Sequence, residues 1–288
     1  MKILIATQSE INFINENDNF YAPIIVGANN CDLKKVKYYS DNTGDNISDK
    51  NPYYCELTAL YWAWKNLSVE YIGLSHYRRF FLFNYKSIFN LDRLPINNTS
   101  NDFLDKIFFD KDKFKKILNK YDVILPKQKK LLLSVREDFY RDKVCYKKDF
   151  DIMEQVVLEK YPEYLDSVSK VFDGNKMYHF NMFLMNKERF DKYMEWLFDI
   201  LFECENRIDI SNYSKVESRV LAFLSERLFT LYIHHNKFSR YEVSVGYINS
   251  QHRIFKFLKT KNYKIIESFY LLLYFADKYF NIKKKKNG

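Results

Sequence analysis

The chain has 288 residues and is 47% hydrophobic and 18% aromatic, with only 6 glycines and 5 prolines. This length can bury a substantial core, so the composition argues against a disordered chain and disfavours a β-sandwich with many turns. The formal net charge is +9, which by itself would suit a nucleic-acid-binding protein.

Most of this positive charge lies near the carboxyl terminus. Residues 252–288 contain ten lysines and arginines against Glu267 and Asp277, so the first 251 residues are almost neutral. A neutral body with a basic, aromatic tail indicates attachment to an anionic membrane surface and disfavours nucleic acid as a partner. The alternative is a packed C-terminal helix that ends in solvated lysines. We divide the chain into a domain over residues 1–251 and a helical basic tail over residues 252–288.

The cysteines and the apolar runs predict where the protein resides. Four scattered cysteines without a CxxC pair indicate a reducing compartment, and no signal peptide precedes the apolar run at residues 3–6. The apolar stretch at residues 269–276 is flanked by Glu267 and Asp277 and is too short to span a bilayer. We expect a cytoplasmic protein that is peripheral to the inner face of the cytoplasmic membrane.

Short apolar runs alternate with helical segments over the first 235 residues. Residues 2–7 predict a buried first strand, because they are apolar and β-branched and end in small and polar side chains. Asn51-Pro52 predicts a helix start with Asn51 as the N-cap. The other predicted elements are an apolar stretch at 22–28, a polar loop at 41–48, strands over 71–75, 121–125 and 178–185, and helices over 51–66, 189–203 and 216–234. This alternation predicts an α/β domain with a central, mainly parallel sheet flanked by helices.

The sharpest polar cluster follows the strand at residues 71–75. His76, Arg78 and Arg79 come at its carboxyl end, where a parallel sheet binds ligands. A guanidinium offers a planar fork of donors that fits phosphate oxygens, so the cluster predicts a diphosphate site. The alternative is a surface pair of arginines, with His76 hydrogen-bonded in the core.

Other polar residues have two interpretations each. Asp41 and Asp45, in the polar loop, suit either recognition of sugar hydroxyls or capping of their own turn. Glu226 is either a general base or the ion-pair partner of an arginine on its helix. Asn181, two residues after His179, is either a ligand contact or a buried brace of the backbone.

Cofactor motifs are missing from the sequence. Neither GxGxxG nor GxxxxGK[ST] occurs, which disfavours a P-loop or Rossmann cofactor enzyme. Asp-x-Asp pairs occur at 110–112 and 149–151, but neither follows an apolar strand, and we interpret them as solvated charges at helix ends. We therefore predict no metal-binding residues and no firm cofactor, with Mg²⁺ or Mn²⁺ left open.

A resemblance to the bacterial DUF4422 family is carried by two segments, residues 46–66 and residues 71–79. They contain Asn51-Pro52-Tyr53-Tyr54-Cys55-Glu56-Leu57-Thr58-Ala59-Leu60-Tyr61-Trp62 and Ser75-His76-Tyr77-Arg78-Arg79. Weaker similarity at 122–127, 180–183 and 223–228 extends the resemblance over residues 2–235. It implies a glycosyltransferase of capsule or O-antigen synthesis, several relatives being associated with galactofuranose, and hence a UDP-sugar donor. Gln8 departs from the family, which usually has histidine there.

The resemblance also implies a GT-A-like single domain. In the GT-A order of elements, His76, Arg78 and Arg79 occupy the position where many metal-dependent GT-A enzymes have Asp-x-Asp. The resemblance therefore implies that these positive side chains would neutralise the departing diphosphate. The acceptor would be a glycan on a lipid carrier. If the enzyme inverts, a carboxylate acts as base, for which Glu226 and Asp45 are candidates, and His76 is a third candidate catalytic residue.

The remaining predicted contacts complete this interpretation. The candidate donor-binding residues are Thr7, Gln8, Asp41, Asn46, Ser48, Asn51, Tyr54, His76, Arg78 and Arg79. The candidate acceptor-binding residues are His179, Asn181 and Arg227. The alternative function is a noncatalytic carbohydrate- or membrane-binding module.

Overall fold

The structure is a computed structural model that describes residues 1–11, 20–30, 38–85, 92–96, 107, 110–141 and 144–248. The chain divides into two compact units. The first unit comprises residues 1–77 and 110–242, and the second comprises residues 78–109 and 243–288. The predicted boundary at residues 251 and 252 and the predicted basic tail lie outside the described residues.

A mixed sheet runs through the first unit in the strand order β11-β7-β10-β4-β1-β2-β3. The strands are β1 (Lys2–Thr7), β2 (Tyr21–Ile25), β3 (Tyr39–Ser40), β4 (Tyr71–His76), β7 (Val123–Pro126), β10 (Phe183–Asn186) and β11 (Arg240–Val243). β1 is parallel to β2 and β4, and β2 is parallel to β3, whereas β10 is antiparallel to β4 and β7. The predicted α/β architecture with a mainly parallel sheet is confirmed.

The sequence of β1 explains its central place. Ile3, Leu4 and Ile5 are all fully buried, as expected for a strand that is covered on both faces. β4 pairs with β1 on one side and β10 on the other, and Gly73 lies opposite Ile3 and Leu184. A Cβ atom at Gly73 would overlap the carbonyl oxygen of Phe183 and lie 3.2 Å from the Leu184 Cα, so the close approach of β10 depends on this glycine.

Helices cover the sheet of the first unit. They are α1 (Asn51–Tyr54), α2 (Leu57–Asn66), α3 (Lys111–Lys120), α4 (Val135–Arg141), α5 (Lys147–Lys160), α6 (Leu165–Phe172), α7 (Lys187–Arg207) and α8 (Val220–His235). The side chain of Asn186 caps α7 by accepting the Arg189 N–H at 2.9 Å. α7 packs against α5 and α8 through buried aromatic rings such as Tyr193 and Phe229. A short antiparallel pair, β8 (Lys129–Lys130) and β9 (Lys176–Met177), lies apart from the main sheet.

Two predicted elements differ from the structure. The expected helix over residues 51–66 is two helices, because Cys55 has a φ of 49° and interrupts it. Asn51 is not the N-cap; its amide instead donates to the Cys55 carbonyl at 2.8 Å. The expected strand over residues 178–185 begins only at Phe183, since the φ angles of Phe180 and Asn181, 76° and 52°, are incompatible with a strand.

The second unit contains three described strands that pair with one another. Its described strands are β5 (Arg79–Phe81), β6 (Arg93–Ile96) and β12 (Val245–Ile248). β12 is antiparallel to β5 and parallel to β6. Among the helices that the structure describes, none has the length and hydropathy needed to cross a bilayer.

Candidate functional site

One edge of the first unit's sheet collects most of the predicted site residues. β1, β2 and β4 are parallel, so their carboxyl ends, including Thr7 and His76, lie at the same edge. β10 is antiparallel to β4, so the chain enters it from this edge at Phe183. Open α/β sheets bind ligands at the carboxyl ends of their parallel strands.

The turn that precedes β10 has an unusual backbone. Phe180 and Asn181 are consecutive non-glycine residues in the left-handed region, with φ angles of 76° and 52°. Each such residue costs on the order of 1–3 kcal/mol and persists only where its surroundings hold it. We call residues 180 and 181 the Phe180–Asn181 turn. Strain of this kind is typical of functional sites and directs attention to the groups that hold the turn.

Three elements hold the Phe180–Asn181 turn. From the end of β4, His76 Nε2 donates to the Phe180 carbonyl oxygen at 2.6 Å. From α8, Glu226 Oε1 accepts the Phe180 N–H at 2.9 Å, and Ser225 Oγ accepts from Asn181 Nδ2 at 2.8 Å. From the junction of α1 and α2, Glu56 Oε1 accepts from the same Asn181 amide group at 3.0 Å. The turn is therefore fixed from both its backbone and its side chain.

Glu226 is ionised and engaged. Its Oε2 lies 3.6 Å from His179 Nδ1 and 3.5 Å from Arg227 Nη1, and its side chain is 17% exposed. Burial alone raises the pKa of Glu226, but the contact with His179, the charges of His179 and Arg227 and the Phe180 N–H together lower it to about 2. A carboxylate with so low a pKa takes up a proton poorly near neutral pH. Of the two interpretations of Glu226, this geometry favours the ion-pair partner, which braces the turn, over the general base.

Arg227 lies inside the first unit beneath Glu226. It is 8% exposed, donates to the Phe223 carbonyl at 3.2 Å and lies 3.4 Å from Asp138 Oδ2. Its guanidinium also stacks 5.1 Å from the Phe139 ring centroid. These contacts make Arg227 a counter-ion for the buried carboxylates, and its predicted contact with an acceptor stays a prediction.

Asp41 braces the polar loop. Its carboxylate accepts the Gly27 and Ala28 N–H groups at 2.7 and 3.0 Å and the Ser48 hydroxyl at 2.6 Å, and it is fully buried. Of the two interpretations of Asp41, the geometry favours the one that holds the turn. Asn46 contributes to the same loop by accepting the Ser48 N–H at 3.1 Å.

Gln8 and Asn51 link this loop region to α1. Gln8 Nε2 donates to Asn51 Oδ1 at 3.1 Å, and Asn51 in turn donates to the Cys55 carbonyl. Thr7, at the end of β1, donates its hydroxyl to the Ser9 carbonyl at 2.6 Å. A chain of hydrogen bonds thus crosses the sheet edge from β1 to the residue that precedes Glu56.

Two predicted residues lie in other surroundings. Tyr54 is fully buried, and its hydroxyl donates to Glu205 Oε2 on α7 at 3.0 Å. Burial, followed by the charge of Glu205, raises the pKa of Tyr54, so this residue belongs to the core. Asp45 is exposed in its turn, where it accepts from the Tyr61 hydroxyl at 3.2 Å.

Arg78 and Arg79 belong to the second unit. Arg78 is exposed, and its carbonyl accepts the Ile248 N–H at 2.9 Å. Arg79 begins β5, opposite Tyr247. Their grip on a diphosphate stays a prediction.

The interpretation of the two Asp-x-Asp pairs as solvated charges at helix ends is wrong for Asp149, which is fully buried. Asp110 caps α3 by accepting the Asp112 N–H at 2.7 Å, whereas Asp149 is buried and accepts from the Tyr213 hydroxyl at 2.9 Å. Asp151 pairs with Lys147 at 2.6 Å. Within the described ranges, no three His, Cys, Asp or Glu side chains come together as a metal site would require.

The site also contains residues that sequence reasoning missed. Glu56 lies in the family signature and Ser225 lies next to Glu226, but neither is among the site residues predicted from the sequence. The signal for Glu56 was available, because it is an acidic residue that directly precedes the strongly apolar helix α2. Its partner Asn181 is 125 residues away in the chain, and only the fold brings the two together.

Comparisons with known proteins support the family and the fold. A solved structure titled as the apo form of the bifunctional glycosyltransferase WbbM is similar to this chain, with a TM-score of 0.78 and 30% sequence identity. The similarity covers 86% of this chain and 45% of that one, so the chain spans about half the length of its structural relative. No curated protein matches the chain. The model of a domain of unknown function, DUF4422, matches residues 2–237, and the chain therefore belongs to the DUF4422 family.

Proposed function

We propose that the chain is a GT-A-like glycosyltransferase that moves a hexose, galactose or galactofuranose, from a UDP-sugar to a lipid-linked glycan in surface polysaccharide synthesis. The proposal is supported by membership of DUF4422 and by 30% identity to a chain whose name is that of a bifunctional glycosyltransferase. Because this chain spans 45% of that protein, we assign it one transferase activity.

The Phe180–Asn181 turn is the observation that carries the proposal. A backbone strained at two adjacent residues and held by His76, Glu226 and Glu56 marks a pre-organised site at the edge where α/β proteins bind ligands. Pre-organised polar groups of this kind stabilise charge that develops during a reaction.

The donor would lie along the β1 side of this edge. Thr7, Gln8 and Asn51 mark the end of β1 and its link to α1, and the loop with Asn46 and Ser48 is held beside them by Asp41. His76 would meet the diphosphate, and the contact of Arg78 and Arg79 with it stays a prediction. The acceptor would approach from the side of His179, Asn181 and Arg227.

The basic tail over residues 252–288 would hold the enzyme at the inner face of the cytoplasmic membrane, where a lipid-linked acceptor is presented. Anionic headgroups attract lysine and arginine, while aromatic side chains enter the interface. Its ten basic residues against two acidic ones support this part of the proposal.

A nucleotide-binding experiment tests the proposed function. The unfolding temperature of the full chain would be measured with UDP, GDP, CMP and their sugars at millimolar concentration, each with and without Mg²⁺ or Mn²⁺. A bound ligand raises the unfolding temperature by mass action, so we expect UDP and a UDP-sugar to do so and CMP not to. A chain that binds glycan but responds to no nucleotide would be a noncatalytic carbohydrate-binding module instead.

A further inference from the structure

We propose that Glu56 is the catalytic base of this site, the carboxylate that binds the reacting hydroxyl of the acceptor and removes its proton. This inference rests on the proposed function and deepens it. It follows from which carboxylates at the sheet edge still have an oxygen available for a ligand.

The carboxylates near the Phe180–Asn181 turn differ in this respect. Both oxygens of Glu226 are engaged, Oε1 by the Phe180 N–H and Oε2 by His179 and Arg227. Glu56 is half-buried, and its Oε1 accepts from Asn181, whereas its Oε2 accepts no hydrogen bond from the described residues. Oε1 of Glu56 therefore fixes the side chain in place, and Oε2 is available to accept a proton from a substrate.

The position of Glu56 is fixed by the backbone before it and by a hydrogen bond to its side chain. It directly follows Cys55, whose φ of 49° ends α1 and turns the chain at this point. Its oxygen is held by Asn181, which is itself held by Ser225 Oγ at 2.8 Å. A base oriented by a second group that a third group holds in place is the arrangement that proton-transfer catalysis requires.

The carbonyl oxygen of the Asn181 side chain is a second polar atom to consider beside Glu56. It is 1% exposed, and its Oδ1 accepts no hydrogen bond from the part of the chain that the structure describes. The amide cannot be reversed without loss, because its nitrogen faces the Glu56 carboxylate and must donate to it. A buried acceptor without a donor costs about 1–3 kcal/mol, and a sugar hydroxyl beside Glu56 would supply that donor.

Arg219 adds a positive charge that interacts with Glu56. Its Nε lies 3.1 Å from Cys55 Sγ, and its guanidinium packs over Phe223 at 5.4 Å. Burial lowers the pKa of Arg219, but the neighbouring Cys55, Glu56 and Glu226 outweigh it and raise the pKa, so this cation stays charged beside the base.

The step balances with the proposed substrates alone. The acceptor hydroxyl gives its proton to Glu56 Oε2, and its oxygen forms a bond to the anomeric carbon of the donor. The bond from that carbon to the diphosphate breaks, and its electron pair leaves with UDP. The configuration at the anomeric carbon is inverted.

The test compares Glu56→Gln and Glu56→Ala with wild type and with the control Glu154→Gln in the full chain. Glu154 is half-buried too, but it pairs with Arg136 on α4, away from the sheet edge. We expect kcat to fall about 100-fold or more in both Glu56 variants, with UDP binding within about twofold of wild type. Formate, a small carboxylate, should restore part of the activity of Glu56→Ala and none of the activity of Glu56→Gln.

The outcomes separate this inference from the proposed function. If Glu56→Gln keeps more than a tenth of the wild-type turnover, the role of Glu56 is overturned, and the proposed transferase function still stands. Retention of configuration in the product would do the same. A wild-type chain that binds no nucleotide and transfers no sugar would overturn the proposed function, and the role of Glu56 with it.

Discussion

Glu226→Gln tests the most unusual electrostatic feature of the site. The substitution keeps the shape of the side chain and an oxygen for the Phe180 N–H, but it removes the negative charge that faces His179 and Arg227. Arg227, which is only 8% exposed, then has fewer partners for its positive charge. We expect a loss of stability, because breaking a buried ion pair leaves the other charge uncompensated.

The size of the loss follows from the pKa of Glu226. A lowering from 4.5 to about 2 corresponds to about 3 kcal/mol of stability at neutral pH, at about 1.36 kcal/mol for each pH unit. Because the pKa is lower in the folded state, this contribution is present above pH 4.5 and is lost as the pH falls towards 2. By about pH 3 less than half of it should remain.

Urea unfolding of the two proteins at several pH values measures this contribution. The difference between wild type and Glu226→Gln isolates Glu226 and the groups in contact with it, because distant titrating groups contribute equally to both proteins. We expect a difference of about 3 kcal/mol in the free energy of unfolding at pH 7, shrinking steadily below pH 4.5. Equal stability at pH 7, or a difference that does not change with acid, would refute the description of Glu226 as an ionised brace.

Two further predictions concern the tail and the sheet. A chain that ends at residue 251 should no longer sediment with vesicles containing anionic phospholipid, since each basic residue near the surface contributes about 1 kcal/mol; equal sedimentation of both forms would rule out attachment through the tail. Gly73→Ala should lower the free energy of unfolding by about 1–3 kcal/mol, because its Cβ would push β10 from β4. An unchanged thermal midpoint would show that the close contact between these strands is not required.

Local sequence patterns were sufficient for the class of the sheet and for its buried strand β1. The apolar run of β1 and its polar end predicted a buried first strand, and Ile3, Leu4 and Ile5 are fully buried in the structure. The alternation of strands and helices then predicted a mainly parallel sheet and the edge where ligands bind. These features depend on burial, which the periodicity of apolar residues records directly.

The same patterns were wrong where polar groups override burial. Residues 178–182 are apolar and aromatic enough to suggest a strand, yet Phe180 and Asn181 are left-handed. Local preferences disfavour this conformation in such residues, and distant hydrogen bonds impose it. His76 is 104 residues from Phe180, so no local window of sequence contains the cause.

The sequence by itself determined the family and the layers of the fold, because long signatures and apolar periodicity are properties of the chain read in order. Only the tertiary structure decided the hydrogen-bond and ion-pair partners of the carboxylates. It engaged Glu226 with a backbone amide, a histidine and an arginine, and it joined Glu56 to Asn181 across 125 residues. Whether a carboxylate acts as a brace or as a base depends on which of its oxygens already have partners, and those partners come from elements far apart in sequence.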